Sequence, residues 1–175
     1  MKKIIFLLFF VSFLGCNKDN DSKDSKYFDA KNLKQLDLAN IDSYWDEGID
    51  IDTSYHVPAN FENSPGFKEG IRLFSGNGKE ICISVFETAE DAINAMELRV
   101  NTVSCIINNG DSDEFENQWW HSECMGYAIF ENQYNSIVEI YFSSNATFDL
   151  VKGILFDVAN EINERIDKLS EKLNG

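Results

Sequence analysis

The most regular alternation of apolar and polar positions lies between residues 70 and 86. Ile71-Arg72-Leu73-Phe74 and the segment from Lys79 to Phe86 carry apolar side chains at every second position, which predicts two strands. Ser75-Gly76-Asn77-Gly78 separates them, and an Asn-Gly pair readily accommodates the positive φ of a hairpin turn. The sequence therefore predicts an antiparallel hairpin here.

A helical spacing of apolar residues follows the hairpin. The Thr88 hydroxyl can cap the first turn, and Asp91 three residues later fits the capping-box pattern. Asn108-Asn109-Gly110 can adopt the left-handed conformation that ends a helix. The pattern predicts an amphipathic helix up to these residues. Its apolar face would consist of Ala89, Ala92, Ile93, Met96, Val100, Val103 and Ile107.

A second set of strands and a second helix are predicted further along the chain. Residues 111–117 are acidic and predict a loop. Gln118 to Glu131 predicts one strand, and Ser136 to Ser143 predicts another, because apolar residues again alternate. Thr147 can cap the helix that follows. The apolar face of this last helix would consist of Phe148, Val151, Leu155, Val158, Ile162, Ile166, Leu169 and Leu173.

The N-terminal part of the domain is less regular. Leu33, Leu36 and Leu38 indicate a short helix or an ordered turn, and Tyr55-His56-Val57 indicates a short strand that ends at Pro58. Consecutive hairpins favour an antiparallel sheet, and two amphipathic helices can cover one face of it. We therefore predict one α+β domain over residues 27–175, with a sheet in ββαββα order and both helices on one face, after a less regular N-terminal segment.

The first sixteen residues have the layout of an export signal. Lys2 and Lys3 precede an apolar stretch from Ile4 to Leu14, which is shorter than the roughly 20 residues of a membrane-spanning helix. The stretch ends in Phe13-Leu14-Gly15-Cys16, which resembles the lipobox of bacterial lipoproteins. The resemblance implies cleavage before Cys16 and lipidation of its sulfur. It predicts a signal peptide over residues 1–15 and a membrane contact through the lipid.

The residues after Cys16 indicate where the anchored protein is displayed. Asn17-Lys18-Asp19-Asn20-Asp21 resembles the signal that sends lipoproteins of the Bacteroidota to the outer face of the outer membrane. Residues 16–26 contain no apolar side chain beyond the cysteine, which predicts a flexible linker. We expect an outer-membrane lipoprotein facing the cell surface, with a periplasm-facing orientation as the alternative.

The charge of the chain limits the classes of partner that it can bind. The full sequence has 15 basic and 30 acidic residues, and removal of residues 1–15 removes two lysines, which leaves a formal net charge of 13 minus 30, or −17. Such a surface repels nucleic-acid phosphates and anionic lipid headgroups. Nucleic-acid binding is therefore disfavoured, whereas a protein or glycan partner is compatible with this charge.

Candidate chemistry is concentrated in Trp119-Trp120-His121-Ser122-Glu123-Cys124. Adjacent strand residues face opposite sides, so one tryptophan can enter the core while the other stacks on a sugar ring or anchors a protein contact. We predict Trp119, Trp120 and His121 as ligand or partner contacts. His121 and Glu123 would share a strand face, which leaves a hydrolase as a weaker hypothesis. We assign no catalytic residue and no cofactor.

The cysteines and the acidic clusters leave alternatives open. Cys105–Cys124 and Cys82–Cys124 are possible disulfides, and three buried thiols are the other interpretation. Neither acidic cluster matches a calcium-binding pattern, so we interpret both as solvated loops and assign no metal site. The clusters are Asp46, Glu47, Asp50 and Asp52, and Asp111, Asp113, Glu114 and Glu116.

Three functional hypotheses follow from the sequence. The first is an envelope-anchored, non-enzymatic binding or accessory module. The second is an acidic inhibitor or immunity-type protein that covers a basic toxin or enzyme. The third is a hydrolase that uses His121 and Glu123.

Overall fold

The computed structural model describes residues 27–54, 61–102, 107–112, 115–122, 125–131, 134–142 and 145–174. Within these ranges the chain forms seven strands, two α-helices and two short 3-10 helices. The strands are β1 (Ile51–Ser54), β2 (Phe67–Ser75), β3 (Glu80–Phe86), β4 (Ile107–Ser112), β5 (Phe115–Ser122), β6 (Tyr127–Glu131) and β7 (Ser136–Tyr141). The helices are α1 (Ala89–Val100) and α2 (Phe148–Asn174), and the 3-10 helices are Ala30–Gln35 and Leu38–Asn40.

The seven strands form one antiparallel sheet in the order β1-β2-β3-β7-β6-β5-β4. This confirms an α+β fold with an antiparallel sheet and a less regular N-terminal segment. The order along the chain, βββαββββα, differs from the predicted ββαββα. Strands β1 and β4 are additional, and the segment predicted as one strand from Gln118 to Glu131 divides into β5 and β6. The acidic loop predicted over residues 111–117 is wrong in part, because Asp111 and Ser112 belong to β4 and residues 115–117 belong to β5. The strand predicted at Tyr55-His56-Val57 lies outside the described residues.

The hairpin between β2 and β3 has the predicted position. Leu73 pairs with Ile81, and the backbone N–H of Ser75 donates to the carbonyl of Lys79 at 3.0 Å, which closes the turn. Gly78 has a φ of 87°, a conformation that is costly for residues with a Cβ. The positive φ of this turn is therefore supplied by the glycine.

Helix α1 begins as predicted but ends earlier. The backbone N–H of Asp91 donates to the Thr88 hydroxyl oxygen at 3.0 Å, and that hydroxyl donates to the Asp91 carboxylate at 2.7 Å. The helix ends at Val100, and Ile107 already belongs to β4. The predicted extension to Asn108-Asn109-Gly110 is therefore wrong. Residues 100–107 are rich in β-branched side chains, which favour a strand over a helix.

The two helices pack on opposite faces of the sheet, which corrects the prediction that both cover one face. Ile81 and Ile83 of β3 pack in the same apolar cluster as α2, whereas Phe86 packs in a second cluster with Met96 of α1. We call these sides the α2 face and the α1 face. Strands β3, β6 and β7 are buried on both sides, so the sheet requires cover on both.

The N-terminal segment shares the α2 face with α2. The short helix or turn predicted around Leu36 is confirmed as a 3-10 helix, and its apolar residues enter the same cluster as α2. The backbone N–H of Phe28 donates to the Asn135 side-chain oxygen at 2.7 Å. Arg165 of α2 donates to the carbonyls of Leu36 at 2.9 Å and Asn40 at 2.8 Å. These bonds attach the segment to the rest of the domain.

Strands β3 and β7 join two meanders, β1–β2–β3 and β4–β5–β6–β7, along a single line of pairing that we call the seam. At one end of the seam the Tyr44 hydroxyl accepts from the backbone N–H of Glu80 at 2.9 Å and donates to the carbonyl of Tyr141. At the other end the Asn135 side-chain amide donates to the carbonyl of Phe86. Side chains thus connect the two meanders at both ends of the seam.

Candidate functional site

A group of charged and phenolic side chains lies between α1 and the sheet. Glu139 of β7 is 1% exposed, and its Oε1 accepts from the Tyr127 hydroxyl at 2.6 Å and from Arg99 Nε at 3.2 Å. Arg99 also donates through Nη2 to the Tyr141 hydroxyl at 3.1 Å. The rings of Tyr127 and Tyr141 stack with centroids 4.1 Å apart. We call these four residues the α1 charge cluster.

Strand alternation and helical spacing position this cluster. Val138 and Ile140 face α2, so Glu139 between them faces α1. Arg99 is three residues after the buried Met96, which places it on the inward side of α1. The sheet register places Tyr127 directly opposite Tyr141. Ordinary secondary-structure geometry therefore brings four polar groups together in a mostly apolar layer.

A second set of polar groups extends the cluster across β3 to β2. Arg72 Nη2 donates to one oxygen of Glu80 at 2.6 Å, and the Cys82 thiol donates to the other at 3.0 Å. Cys82 pairs across the seam with Glu139. Arg72 is also 4.8 Å from the centroid of the Phe74 ring, so its guanidinium is held between a carboxylate and an aromatic face.

Burial controls the protonation of these groups. Burial raises the pKa of the Cys82 thiol well above its ordinary value, and the carboxylates of Glu139 and Glu80 raise it further. Burial and Glu139 likewise raise the pKa of the Tyr127 and Tyr141 hydroxyls. The thiol is therefore protonated at neutral pH, whereas a reactive cysteine requires the thiolate.

The arrangement is suited to holding α1 in place. Glu139 accepts hydrogen bonds from Tyr127 and Arg99, and Arg99 spans from α1 to β7. Removal of either partner of a buried ion pair leaves the other charge without compensation. The α1 charge cluster therefore connects α1, a short helix that contributes few apolar side chains, to the sheet.

Trp119 and His121, both predicted contacts, lie on the α2 face. Trp119 is 8% exposed, and its ring packs edge-on to Phe156 with centroids 5.1 Å apart. His121 is half-buried and stacks on Phe148 with centroids 3.6 Å apart. The rings of Trp119 and His121 are 5.2 Å apart, so the structure brings these two residues together against the start of α2.

Trp120 lies on the opposite face, as strand alternation predicts. It is half-buried and packs against the apolar cluster beneath α1, as Val100 and Met125 also do. Its strand neighbour toward the centre of the sheet is Ile129. Trp120 therefore retains exposed surface next to α1, whereas Trp119 contributes to the core.

The other predicted site residues are only partly covered by the structure. Cys82 carries a free, buried thiol, which removes the Cys82–Cys124 disulfide from the alternatives. Cys105, Cys124 and Glu123 lie outside the described residues, as does Cys16.

The acidic segment before β1 has a structural contact. Asp46 accepts from Lys79 Nζ at 2.7 Å, next to the β2–β3 turn. In the second cluster, Asp111 belongs to β4 and Glu116 to β5 rather than to the predicted loop, and Asp113 and Glu114 lie outside the described residues. Among the residues that the structure describes, no group of three or more histidine, cysteine or acidic side chains is arranged to hold a metal ion.

In the described part of the chain, no helix combines the length and the apolar character needed to cross a membrane.

The α1 charge cluster was not predicted from the sequence. The alternation in β7 is compatible with a solvent-exposed Glu139, because antiparallel strands often have one wet face. A signal was present in Arg99, a single basic residue at an inward position of α1. Pairing it with Glu139 requires knowing that α1 covers β7, and this depends on the topology.

Comparison of the chain with models of known protein families and with characterised proteins finds no match.

Proposed function

We propose that the protein is a lipid-anchored envelope protein, displayed at the cell surface, that acts as a non-enzymatic binding or accessory module. The observation that supports this proposal best is that the side chains capable of chemistry are engaged in contacts within the fold. Glu139 and Arg99 bond each other, the Cys82 thiol is protonated, and His121 stacks on Phe148. These contacts stabilise the fold, while the half-buried Trp120 retains surface for a partner.

Anchoring is tested by replacing the lipidated atom. Cys16→Ser is expected to move the protein from the membrane fraction to the soluble fraction. The serine would carry no acyl chains, whereas durable attachment needs two or three. Protease treatment of intact cells then distinguishes surface display from the periplasm-facing alternative. A Cys16→Ser protein that stays with the membrane contradicts the lipid anchor.

Binding is tested by pull-down from detergent-solubilised envelopes with the wild type, Trp119→Ala and Trp120→Ala. We expect Trp120→Ala to lose partners, since truncating a contact tryptophan often removes a large share of an interface's binding energy. Trp119→Ala serves as the comparison, with its folding checked by circular dichroism. Identical partners for all three proteins would remove the tryptophans from the proposal.

The net charge favours a second candidate, an acidic inhibitor or immunity-type protein. It predicts binding to a basic toxin or enzyme that weakens steeply as salt rises, because exposed charges are screened. A toxin gene next to the gene for this protein would support it, and a solitary gene would count against it. The weaker hydrolase hypothesis fails if a measured activity survives His121→Ala.

A further inference from the structure

Helix α1 leaves one side of its face of the sheet incompletely covered. A Cβ atom on Gly66 would lie 2.4 Å from the carboxyl group of Asp91, so the Asp91 side of α1 faces the start of β2. Ile93 is two residues from Asp91 and therefore lies on the opposite side, toward β6 and β5. Val100 is seven residues from Ile93, almost two turns, and lies on the same side.

The surface on this side of α1 is apolar and partly exposed. Ile93 is 39% exposed, and Val100, Trp120 and Met125 are half-buried against the cluster beneath the helix. We give the name α1 groove to these four residues, which lie on this side of α1, on β5 or just before β6. Tryptophan is one of the residues that are enriched at the energetic hot spots of protein contacts.

The rim of the α1 groove is acidic. Glu90 is three residues before Ile93 and Glu97 is four residues after it, so both carboxylates flank Ile93 on the helix surface. Both are exposed. The one basic residue of α1, Arg99, is paired with Glu139 beneath the helix. The rim charge is therefore not neutralised by the helix itself.

We propose that the α1 groove docks a short amphipathic segment of a protein partner whose apolar side chains pack on Trp120 and whose basic side chains face Glu90 and Glu97. This rests on the proposed binding function and names the kind of partner. The acidic rim and the net charge of the chain repel anionic membranes and nucleic acid and attract a basic protein. A helix laid in an apolar groove is a common form of peptide recognition.

The test uses the purified full-length protein in detergent and a fluorescently labelled 14-residue peptide. The peptide contains only leucine and lysine, with leucines spaced three and four residues apart. A scrambled peptide of the same composition and charge is the control for nonspecific attraction. Binding is measured by fluorescence anisotropy at two salt concentrations. We expect the patterned peptide to bind more tightly than the scrambled peptide, and more weakly at the higher salt.

Three variants and one control variant assign the binding to the groove. Trp120→Ala is expected to weaken binding about 30-fold, the factor that corresponds to a contact hot spot. Ile93→Ser, at an exposed helix position that does not disturb a strand, is expected to weaken it several-fold. Glu97→Lys is expected to weaken binding and to reduce its salt dependence, whereas Glu164→Lys, the same charge change at a 69% exposed site on α2, is expected to change it little.

Four results would overturn the proposal. They are equal binding of the two peptides, unchanged binding by both Trp120→Ala and Ile93→Ser, equal effects of Glu97→Lys and Glu164→Lys, and a Trp120-dependent dimer in sedimentation that does not bind the peptide. The last would assign the groove to a second copy of the chain. None of these results affects the Cys16→Ser test, so a failure of the groove and a failure of anchoring are distinguishable.

Discussion

The two faces of the sheet are covered in different ways. The α2 face carries a 27-residue helix and the N-terminal segment, which enclose a large cluster of apolar side chains. The α1 face carries a 12-residue helix over a cluster of paired charges and tyrosines. The stabilisation from burying apolar surface has no preferred direction and grows with the area removed from water. The charge pair joins α1 to β7 at one point, and Trp120 of β5 stays half-buried on the same face.

The largest expected effect comes from breaking the charge pair. Glu139→Leu leaves Arg99 without its carboxylate, and we expect a loss of about 3–5 kcal/mol in the free energy of unfolding. Arg99→Met is expected to be similarly damaging. The double variant is expected to recover most of the loss, because two apolar groups remove both desolvated charges. Urea unfolding measures all three, and a double variant as unstable as the sum of the singles would contradict this account.

On the α2 face, the corresponding loss of stability comes from the apolar core, and no second substitution is expected to restore it. Leu155 is 0% exposed, and Leu155→Ala is expected to cost about 2–5 kcal/mol through lost burial and a cavity. Leu150→Ala, at a 78% exposed position of the same helix, is the control and should stay within about 0.5 kcal/mol of the wild type. If both variants unfold at the same urea concentration, the α2 face is less important than its burial indicates.

A smaller effect is expected where α2 holds the N-terminal segment. Arg165→Ala removes hydrogen bonds to the carbonyls of Leu36 and Asn40, and we expect a loss of about 2 kcal/mol. Hydrogen exchange should show faster opening of residues 30–40 than of the sheet. Lys168→Ala, which removes an exposed pair with Glu164, should cost less than about 0.5 kcal/mol. Uniform opening of the whole domain would argue against a locally held segment.

The smallest effect concerns alkaline pH on the α1 face. The folded state raises the pKa of Cys82 and Tyr127 above their ordinary values of 9.0 and 10.0. The unfolded chain therefore loses these protons first, so the stability that they provide is complete below about pH 9 and declines as the pH rises further. We expect Tyr127→Phe to flatten the fall in stability between pH 9 and 11. An unchanged slope would show that Tyr127 ionises equally in both states.

The regular local patterns predicted their elements correctly. The β2–β3 hairpin, the Thr88 cap and the start of α2 each depend on neighbouring residues, and all three are confirmed. The end of α1 was missed because Val100 and Ile107 fit a helical spacing and also favour strands. Spacing alone does not decide between the two when the segment's place in the sheet is unknown.

The positions of the helices required information that alternation does not contain. An amphipathic helix shows which of its sides is buried but not which face of the sheet it covers. The candidate site could be predicted only in part for the same reason. Alternation correctly separated Trp119 from Trp120, whereas the pairing of Glu139 with Arg99, forty residues apart, depends on how α1 crosses the sheet.

The seam between β3 and β7 has a consequence for how the chain folds. Each meander consists largely of strands that follow one another closely, so its hairpins can form early and locally. The seam pairs Val85 with Ser136, residues 51 positions apart, and closing such a loop costs entropy before any seam contact compensates for it. Formation of the seam is therefore expected to limit the folding rate. Tyr44 and Asn135, which bond at its two ends, are positioned to slow its reopening.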